Sequence, residues 1–179
     1  MASDRLGAQA VIRVALLGDT HGVVDERIAE IVARCDLVVH AGDIGCPEVL
    51  AQLQPRSGRV IAVRGNNDTP HQWPRGSEPW LRELPEQVRL ELPGGVLAVE
   101  HGHRVLPANQ RHLRLRERHP DARAILYGHT HRLVVDRDAF PWVLNPGAAG
   151  RTRTYGAPSC LVLNAGLDHW SVDIHVFSR

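Results

Sequence analysis

Residues 11–21 have the sequence Val-Ile-Arg-Val-Ala-Leu-Leu-Gly-Asp-Thr-His, and this stretch decides the fold. The near-continuous apolar run at 11–17 is typical of a buried strand in a parallel sheet. The run stops at Gly18, and the polar residues Asp19 and His21 follow at once. In open α/β sheets, ligands bind beyond the carboxyl ends of the strands. The stretch therefore predicts a parallel sheet with a polar site at one edge.

Strand and helix patterns alternate through the first half of the chain. Ile28, Ile31 and Val32 recur at helical spacing, which predicts an amphipathic helix after the first strand. A βαβαβ order of this kind predicts a parallel sheet with helices on its faces. The predicted elements are strands at 11–17, 36–40 and 59–64 and helices at 25–35 and 47–54.

The second half of the chain is richer in strand patterns. Residues 69–85 contain Pro, Trp and many charges with little periodicity, which predicts a long loop. Pro93-Gly94-Gly95 separates two strand patterns and predicts a hairpin. The other predicted elements are a helix at 107–119 and strands at 87–92, 96–100, 124–127, 133–135, 142–144, 160–163 and 169–176.

Together these elements predict one α/β domain that spans residues 1–179, with residues 1–10 as a loose N-terminal extension. Ten or so strands fit two sheets that pack face to face and carry helices on their outer faces. No internal repeat or linker divides the chain. A chain of 179 residues is long enough to bury a substantial core.

Composition excludes several classes of function. The formal net charge is +1, so nucleic acid is not indicated as a partner, and neither is an acidic membrane surface. No apolar run approaches the ~20 residues of a membrane-spanning helix. The N-terminus lacks the apolar segment of a signal peptide. Cys35, Cys46 and Cys160 are odd in number and have no paired spacing, which favours free thiols and a cytoplasmic location.

Five short motifs combine imidazole, carboxylate and amide groups, and each follows a predicted strand. This donor set contains no thiolate and suits borderline divalent transition metals better than Ca²⁺. Each motif alone has an ordinary explanation as a turn or a helix cap, but the ordered set of five favours a metal-dependent hydrolase. The motifs are Gly18-Asp19-Thr20-His21, His40-Ala41-Gly42-Asp43, Gly65-Asn66-Asn67-Asp68, His101-Gly102-His103 and Gly128-His129-Thr130-His131.

In this order, the motifs resemble those of the calcineurin-like metallophosphoesterase superfamily. The short chain, His-Gly-His, Gly-His-Thr-His and Asn145-Pro146-Gly147 are similar to its small prokaryotic YfcE-type phosphodiesterases. The resemblance implies a four-layer α/β/β/α sandwich with two mixed sheets and a pair of divalent metal ions. It also implies the ligands: Asp19, His21 and His131 for the first ion, Asn66, His101 and His129 for the second, and Asp43 as a bridge between them.

The resemblance implies an enzyme that hydrolyses phosphodiesters of small molecules by attack of a metal-bridging hydroxide. We expect two Mn²⁺ ions, with Ni²⁺, Zn²⁺, Fe²⁺ and Mg²⁺ as alternatives. A phosphomonoesterase or nucleotide phosphatase would use the same site. A non-catalytic protein-interaction scaffold of the same fold is the alternative from another class. Relatives of the YfcE type are often dimers or tetramers, so a homo-oligomer is also expected.

Two further residues are candidate catalytic and substrate-binding groups. Many relatives carry His where this chain has Asn67, and that imidazole helps to protonate the leaving alcohol. Asn67 can hydrogen-bond a phosphoryl oxygen but cannot act as a general acid. We therefore expect aryl phosphodiesters, which have good leaving groups, to be preferred. His103 either contacts the substrate or is a solvated neighbour of His101.

Other side chains could contact the substrate, although each has a structural alternative. The arginines of the 107–119 helix could bind phosphate or simply form a solvated face. The aromatic residues of the 69–85 loop could stack on a base or aryl group, or could anchor the loop. These candidates are Arg111, Arg114, Arg118, Arg151, Arg153, His71, Trp73 and Trp80.

Overall fold

The computed structural model describes residues 11–151 and 153–178 and contains ten strands and four α-helices. The predicted extension at residues 1–10 lies outside the described residues. The strands are β1 (Ile12–Leu17), β2 (Leu37–His40), β3 (Val60–Ala62), β4 (Gln87–Leu92), β5 (Gly95–Glu100), β6 (Ala124–Leu126), β7 (Leu133–Asp136), β8 (Trp142–Pro146), β9 (Ser159–Ala165) and β10 (Trp170–Val176). The helices are α1 (Glu26–Val32), α2 (Pro47–Gln52), α3 (Glu78–Glu83) and α4 (Arg111–Arg118).

The strands form two five-stranded mixed sheets. The first has the order β10-β9-β1-β2-β3, in which β1, β2 and β3 are parallel and β9 runs antiparallel to both of its neighbours, β1 and β10. The second has the order β4-β5-β6-β8-β7, in which β5, β6 and β8 are parallel. The predicted parallel βαβαβ half is confirmed, and so is the hairpin that joins β4 and β5.

Alternation along β1 shows how the layers are built. Val14 and Leu16 point into a core between the two sheets, where residues of β5, β6 and β8 meet them. Ala15 and Leu17 point the other way and pack with Ile28 and other residues of α1. All of these side chains are fully buried. A stretch of strand that is covered on both faces is apolar at successive residues, which explains the uninterrupted run at residues 14–17.

The second sheet is covered in the same way. Leu115 of α4 is fully buried against Ala98, Ile125 and Val143, which lie on the outer face of that sheet. Helix, sheet, sheet and helix thus form four layers, and the predicted α/β/β/α sandwich is confirmed. None of the helices in the described part of the chain has the length and apolar character needed to cross a bilayer.

One predicted segment was wrong in part. The 69–85 loop contains helix α3, a six-residue helix in which only Leu81 is buried, so it has too little periodicity to be recognised from sequence. Trp73 anchors this segment: it is buried, and its indole Nε1 donates a hydrogen bond of 2.9 Å to Asp68. Trp80 is half-exposed.

Candidate metal centre

The backbone turns sharply where the ligand motifs leave their strands. Among the non-glycine residues that the structure describes, six have a positive φ, and five of these are predicted ligands. A left-handed residue breaks the alternation of a strand and therefore re-aims its side chain. The five ligands and their φ angles are Asp19 (52°), His21 (47°), Asp43 (55°), His129 (69°) and His131 (56°).

Close approach of the strand ends explains two glycines in the motifs. A Cβ on Gly42 would lie 2.7 Å from His101 Nδ1 and 2.8 Å from the amide nitrogen of Gly65. A Cβ on Gly65 would overlap the Asp43 carboxylate. Glycine at both positions lets the ends of β2, β3 and β5 meet, although β5 belongs to the other sheet.

One half of the site holds Asp19, His21, Asp43 and His131. Their candidate ligand atoms all lie within 4.8 Å of one another. Nε2 of His21 is 3.2 Å from Nε2 of His131, which in turn is 3.4 Å from Oδ1 of Asp19. His131 donates a hydrogen bond from Nδ1 to the carbonyl of Arg153 at 2.7 Å, so its Nε2 faces the site.

The other half holds Asn66, His101 and His129. Oδ1 of Asn66 lies 3.1 Å from Nε2 of His101 and 3.0 Å from Nδ1 of His129. His101 donates from Nδ1 to the carbonyl of Ala41 at 2.7 Å, which orients its Nε2 towards the site. The seven residues named as ligands from the sequence therefore meet at one edge of the sandwich.

Asp43 lies between the two halves. Its Oδ2 is 3.8 Å from Nε2 of His21, and its Oδ1 is 3.4 Å from Nε2 of His101. Burial acts to raise the pKa of Asp43, but the hydrogen bond and positive charge of His101 outweigh it and hold that pKa well below its usual range. The carboxylate is therefore anionic and faces both halves at once.

Burial also shifts the other groups of the site. It raises the pKa of Asp19 to about 8, and the negative charge of Asp43 adds to this effect. It lowers the pKa of His129 to about 4, with a further contribution from the charge of His101. Desolvation likewise lowers the pKa of His21. Without a cation, burial thus favours a protonated Asp19 and neutral His21 and His129.

The donor set fits divalent cations. Oδ2 of Asp19 is buried and has no hydrogen-bond partner among the residues that the structure describes, which is costly unless a cation or proton meets it. Neutral imidazole nitrogens and carboxylate oxygens face one another across the site, and these are ligands of borderline divalent metals. The carbonyls of Ala41 and Arg153 accept hydrogen bonds from Nδ1 of His101 and His131 and so orient these rings, as is usual for metal-binding histidines.

Asn67 has a role that the sequence did not reveal. Its backbone amide donates to Oδ1 of Asp43 at 2.8 Å, and its side-chain Nδ2 donates to Oδ2 at 2.7 Å. Asn67 thus orients the Asp43 carboxylate, which lies between the two halves of the site. His103 lies at the rim of the second half, with its ring 5.4 Å from that of His101 and 6.2 Å from that of His129.

Two supporting residues, Asp68 and His40, fall inside the five motifs, and Asn145 lies in the later Asn145-Pro146-Gly147 segment. Most of their partners are distant in sequence. Asp68 accepts hydrogen bonds from the amides of Ile44, Gly45 and Gly65. Asn145 donates to the carbonyl of Gly128 and to Thr130. Fully buried His40 bonds to Thr20 through Nε2 at 2.9 Å and accepts from the amide of Gly42 at 3.2 Å. The motif letters were visible, but these contacts depend on the fold.

The arginine candidates divide into two groups. Some form ion pairs: Arg114 with Glu117, Arg118 with Glu100, and Arg151 with Glu26 at 3.0 Å. Arg153 has no ion-pair partner among the described residues, and neither has Arg111. Arg153 lies beside the ligands, where it lines a cavity of about 290 Å³ together with His129 and His131.

The fold agrees with that of known proteins. A family model of the calcineurin-like phosphoesterase superfamily domain matches residues 12–166. The chain belongs to the calcineurin-like phosphoesterase superfamily. The curated phosphodiesterase MJ0936 of Methanocaldococcus jannaschii is similar to this superfamily member, with 24% identity over 76% of this chain and 83% of the relative.

Solved structures show the same fold. Vacuolar protein sorting 29 of Cryptosporidium parvum matches this superfamily member with a TM-score of 0.71 and 22% identity, over 94% of this chain and 99% of the other. The phosphoesterase YfcE of E. coli matches with a TM-score of 0.60 and 23% identity, over 92% and 99% of the two chains. The resemblance drawn from the five motifs is thereby confirmed.

Proposed function

We propose that the protein is a two-metal phosphodiesterase. The observation that carries the proposal is the position of the Asp43 carboxylate, whose two oxygens face His21 on one side and His101 on the other. A carboxylate that faces two clusters of imidazole and oxygen donors is suited to bridge two cations. The family and the name of the M. jannaschii relative are consistent with phosphodiester hydrolysis.

The proposed ligands divide between two ions. Asp19, His21 and His131 would hold the first, Asn66, His101 and His129 the second, and Asp43 would contact both. The contacts of 3.0 and 3.1 Å between the Asn66 oxygen and two imidazoles support the second set. We expect Mn²⁺ at both positions, with Ni²⁺, Zn²⁺, Fe²⁺ and Mg²⁺ as alternatives, because the donors are nitrogen and oxygen.

A bound pair of divalent ions supplies Lewis acidity, which lowers the pKa of water and neutralises charge on phosphoryl oxygens. The chain's own residues orient the donors. Asn67 holds Asp43 through two hydrogen bonds, and the carbonyls of Ala41 and Arg153 orient His101 and His131. We propose that His103, at the rim, contacts the substrate.

The chemistry of position 67 favours particular substrates. The Asn67 amide cannot donate a proton to a leaving alkoxide as an acid does, and its Nδ2 is already bonded to Asp43. Leaving groups that depart without protonation should therefore react fastest. We propose aryl phosphodiesters as the preferred class and expect monoesters of simple alcohols to react slowly.

The likeness to vacuolar protein sorting 29 favours a second candidate, a non-catalytic protein-interaction scaffold. The buried, unpartnered Asp19 oxygen argues against it, because a scaffold has no need of such a group. Activity in the presence of added metal separates the two functions. A scaffold would not hydrolyse any phosphoester, whether or not it binds metal.

The experiment that tests the proposal is a substrate panel with added Mn²⁺, Ni²⁺ or Zn²⁺. The panel contains bis(p-nitrophenyl) phosphate, p-nitrophenyl phosphate, cyclic nucleotides and an alkyl monoester. We expect two metal ions per chain and fastest hydrolysis of the aryl diester. Faster hydrolysis of the alkyl monoester would contradict the proposed substrate class, and absence of both metal and activity would contradict the enzyme.

A further inference from the structure

A cavity of about 290 Å³ adjoins the proposed metal centre. Two segments line it, one of His129, Thr130 and His131 and the other of Arg153, Thr154 and Tyr155. This volume is near the lower end of the ~300–1,000 Å³ of typical small-molecule sites. Because two proposed ligands line it, a phosphoryl group at the centre would place one of its substituents in this cavity.

Tyr155 is the one aromatic side chain in the wall of this cavity. It is 69% exposed, although a tyrosine that anchors its segment is normally buried. Buried Trp73 illustrates such an anchor in the 69–85 segment. An exposed ring at the rim of a site keeps its apolar surface available for a ligand.

The Tyr155 ring is held in place rather than free. The Arg132 guanidinium lies over it, with Cζ 5.2 Å from the ring centroid. The Tyr155 ring contacts the His131 ring edge to face, with 6.4 Å between the ring centroids and 75° between the ring planes. The same segment is tied to the centre because the carbonyl of Arg153 accepts the Nδ1 hydrogen bond of His131. Arg132 covers one face of the ring, so a planar group has the rest of the exposed surface on which to stack.

The positive charge of Arg153 in this cavity is complementary to the negative charge of a phosphate ester. Arg153 is exposed and has no ion-pair partner in the described chain, and its positive charge contributes to the lowered pKa of His21, after burial. A guanidinium without a carboxylate partner is available for a phosphoryl oxygen. The cavity therefore offers a cation near the metal centre and an aromatic surface farther along the same wall.

We propose that this cavity is a subsite for a planar aromatic substituent of the phosphoester, which stacks on Tyr155 while Arg153 contacts the phosphoryl group. The proposal rests on the proposed function, because it assumes that the phosphoryl group binds at the metal centre. It narrows the substrates to phosphoesters that carry an aryl group or a nucleobase.

Binding of two non-hydrolysable probes tests the subsite. Phenylphosphonate and methylphosphonate carry the same charged group, so calorimetric titration of the Mn²⁺-loaded protein isolates the aromatic ring. We expect phenylphosphonate to bind about three- to tenfold more tightly, as an aromatic contact of ordinary strength predicts. Tyr155→Ala should abolish this preference and leave methylphosphonate binding unchanged, whereas Tyr155→Phe should retain it.

Phe140→Ala is the matched control. Phe140 is also 69% exposed and stacks on another aromatic ring, that of Trp142 at 5.9 Å. It precedes β8, at the edge of the sheet opposite to the ligands. This variant should keep the full preference for phenylphosphonate.

The outcomes separate the two proposals. Equal affinity for the two phosphonates in the unaltered protein, or an undiminished preference in Tyr155→Ala, would overturn the aromatic subsite alone. Failure of both probes to bind would overturn the phosphoryl site as well. Comparison of thymidine 5′-monophosphate with 2-deoxyribose 5-phosphate identifies the aromatic group that the subsite binds. Tighter binding of the nucleotide supports a nucleoside ester. If phenylphosphonate gains affinity but the nucleotide does not, a simple aryl ester is supported.

Discussion

Asn67 donates one hydrogen bond to each oxygen of Asp43, from the backbone amide at 2.8 Å and from the side chain at 2.7 Å. Two donors from one residue hold the Asp43 carboxylate in one orientation and stabilise its negative charge. An Asn at this position therefore orients Asp43, whichever contacts it also makes to a substrate.

Asn67→Ala should weaken metal binding by about 10- to 100-fold, as is usual when a residue that orients a ligand is lost. The backbone hydrogen bond survives this change, so Asp43 stays in place with one oxygen free to rotate away. Titration of metal-free protein with Mn²⁺ measures the effect. Gln72→Ala is the control, since within the described part of the chain the Gln72 side chain makes one hydrogen bond, to Oδ1 of Asn67 at 3.5 Å. An unchanged affinity in Asn67→Ala would contradict the orienting role.

Asp43→Asn should reduce both metal content and activity, because the amide has only one oxygen for two ions. We expect activity to fall by at least about 100-fold, more than for loss of an orienting residue. Metal analysis and hydrolysis of bis(p-nitrophenyl) phosphate provide the measurements. Asp168→Asn, at an exposed carboxylate, should leave both unchanged. Near-full turnover in Asp43→Asn would argue strongly against a bridging role.

Buried His40 should make the metal-free protein sensitive to acid. Burial, together with the charge of His101, lowers its pKa from 6.5 to about 3. Below about pH 6.5, His40 therefore binds a proton in the unfolded chain but stays neutral in the folded chain. As the pH falls, this difference lowers the free energy of unfolding by up to about 1.4 kcal/mol per pH unit. This contribution is absent from the pH dependence of His40→Gln.

Urea denaturation in chelator between pH 7.5 and pH 5 measures this difference. The unfolding free energy of His40→Gln should decline less steeply with acid than that of the unaltered protein. His169→Gln replaces an exposed histidine and should follow the unaltered protein. Parallel pH profiles for His40→Gln and the unaltered protein would show that His40 is not the acid-sensitive group.

Asp68 should be a main determinant of stability around the site. It is buried and accepts four hydrogen bonds, three from backbone amides and one from the indole of Trp73. Asp68→Ala leaves these donors without a partner and should destabilise the protein by about 3 kcal/mol or more. Trp73→Phe removes only one of the hydrogen bonds and should cost about 1 kcal/mol. Thermal unfolding of the two variants compares them, and equal losses would contradict this account.

The sequence predicted the strands well, and it located the residues that meet at the candidate metal centre, because both leave local signals. Residues 14–17 are all apolar because both faces of β1 are covered there, and the polar motif begins just after this stretch. The helix α3 left no such signal, since only Leu81 is buried. Helix propensity and one apolar contact are too little for a pattern of period 3.6.

Supporting contacts could not be predicted because they join residues that are far apart in sequence. Asp68 and Ile44 are 24 residues apart, and His131 and His21 are separated by 110. The cavity beside Tyr155 is assembled from two segments, one after β6 and one after β8, and only the fold brings them together. The proposed ligand residues could thus be recognised in the sequence, but the contacts that orient them could not.

The left-handed backbone at five proposed ligands implies a trade-off between stability and metal binding. Such conformations cost a non-glycine residue on the order of 1 kcal/mol each, although Asp and His tolerate them better than most. Replacement of Asp19 or His131 by glycine would relieve that backbone strain but would also remove a proposed ligand. The centre is therefore a region where the chain is less stable than it could be. We expect metal binding to compensate for this strain, which makes the bound ions part of the fold's thermodynamic stability as well as its chemistry.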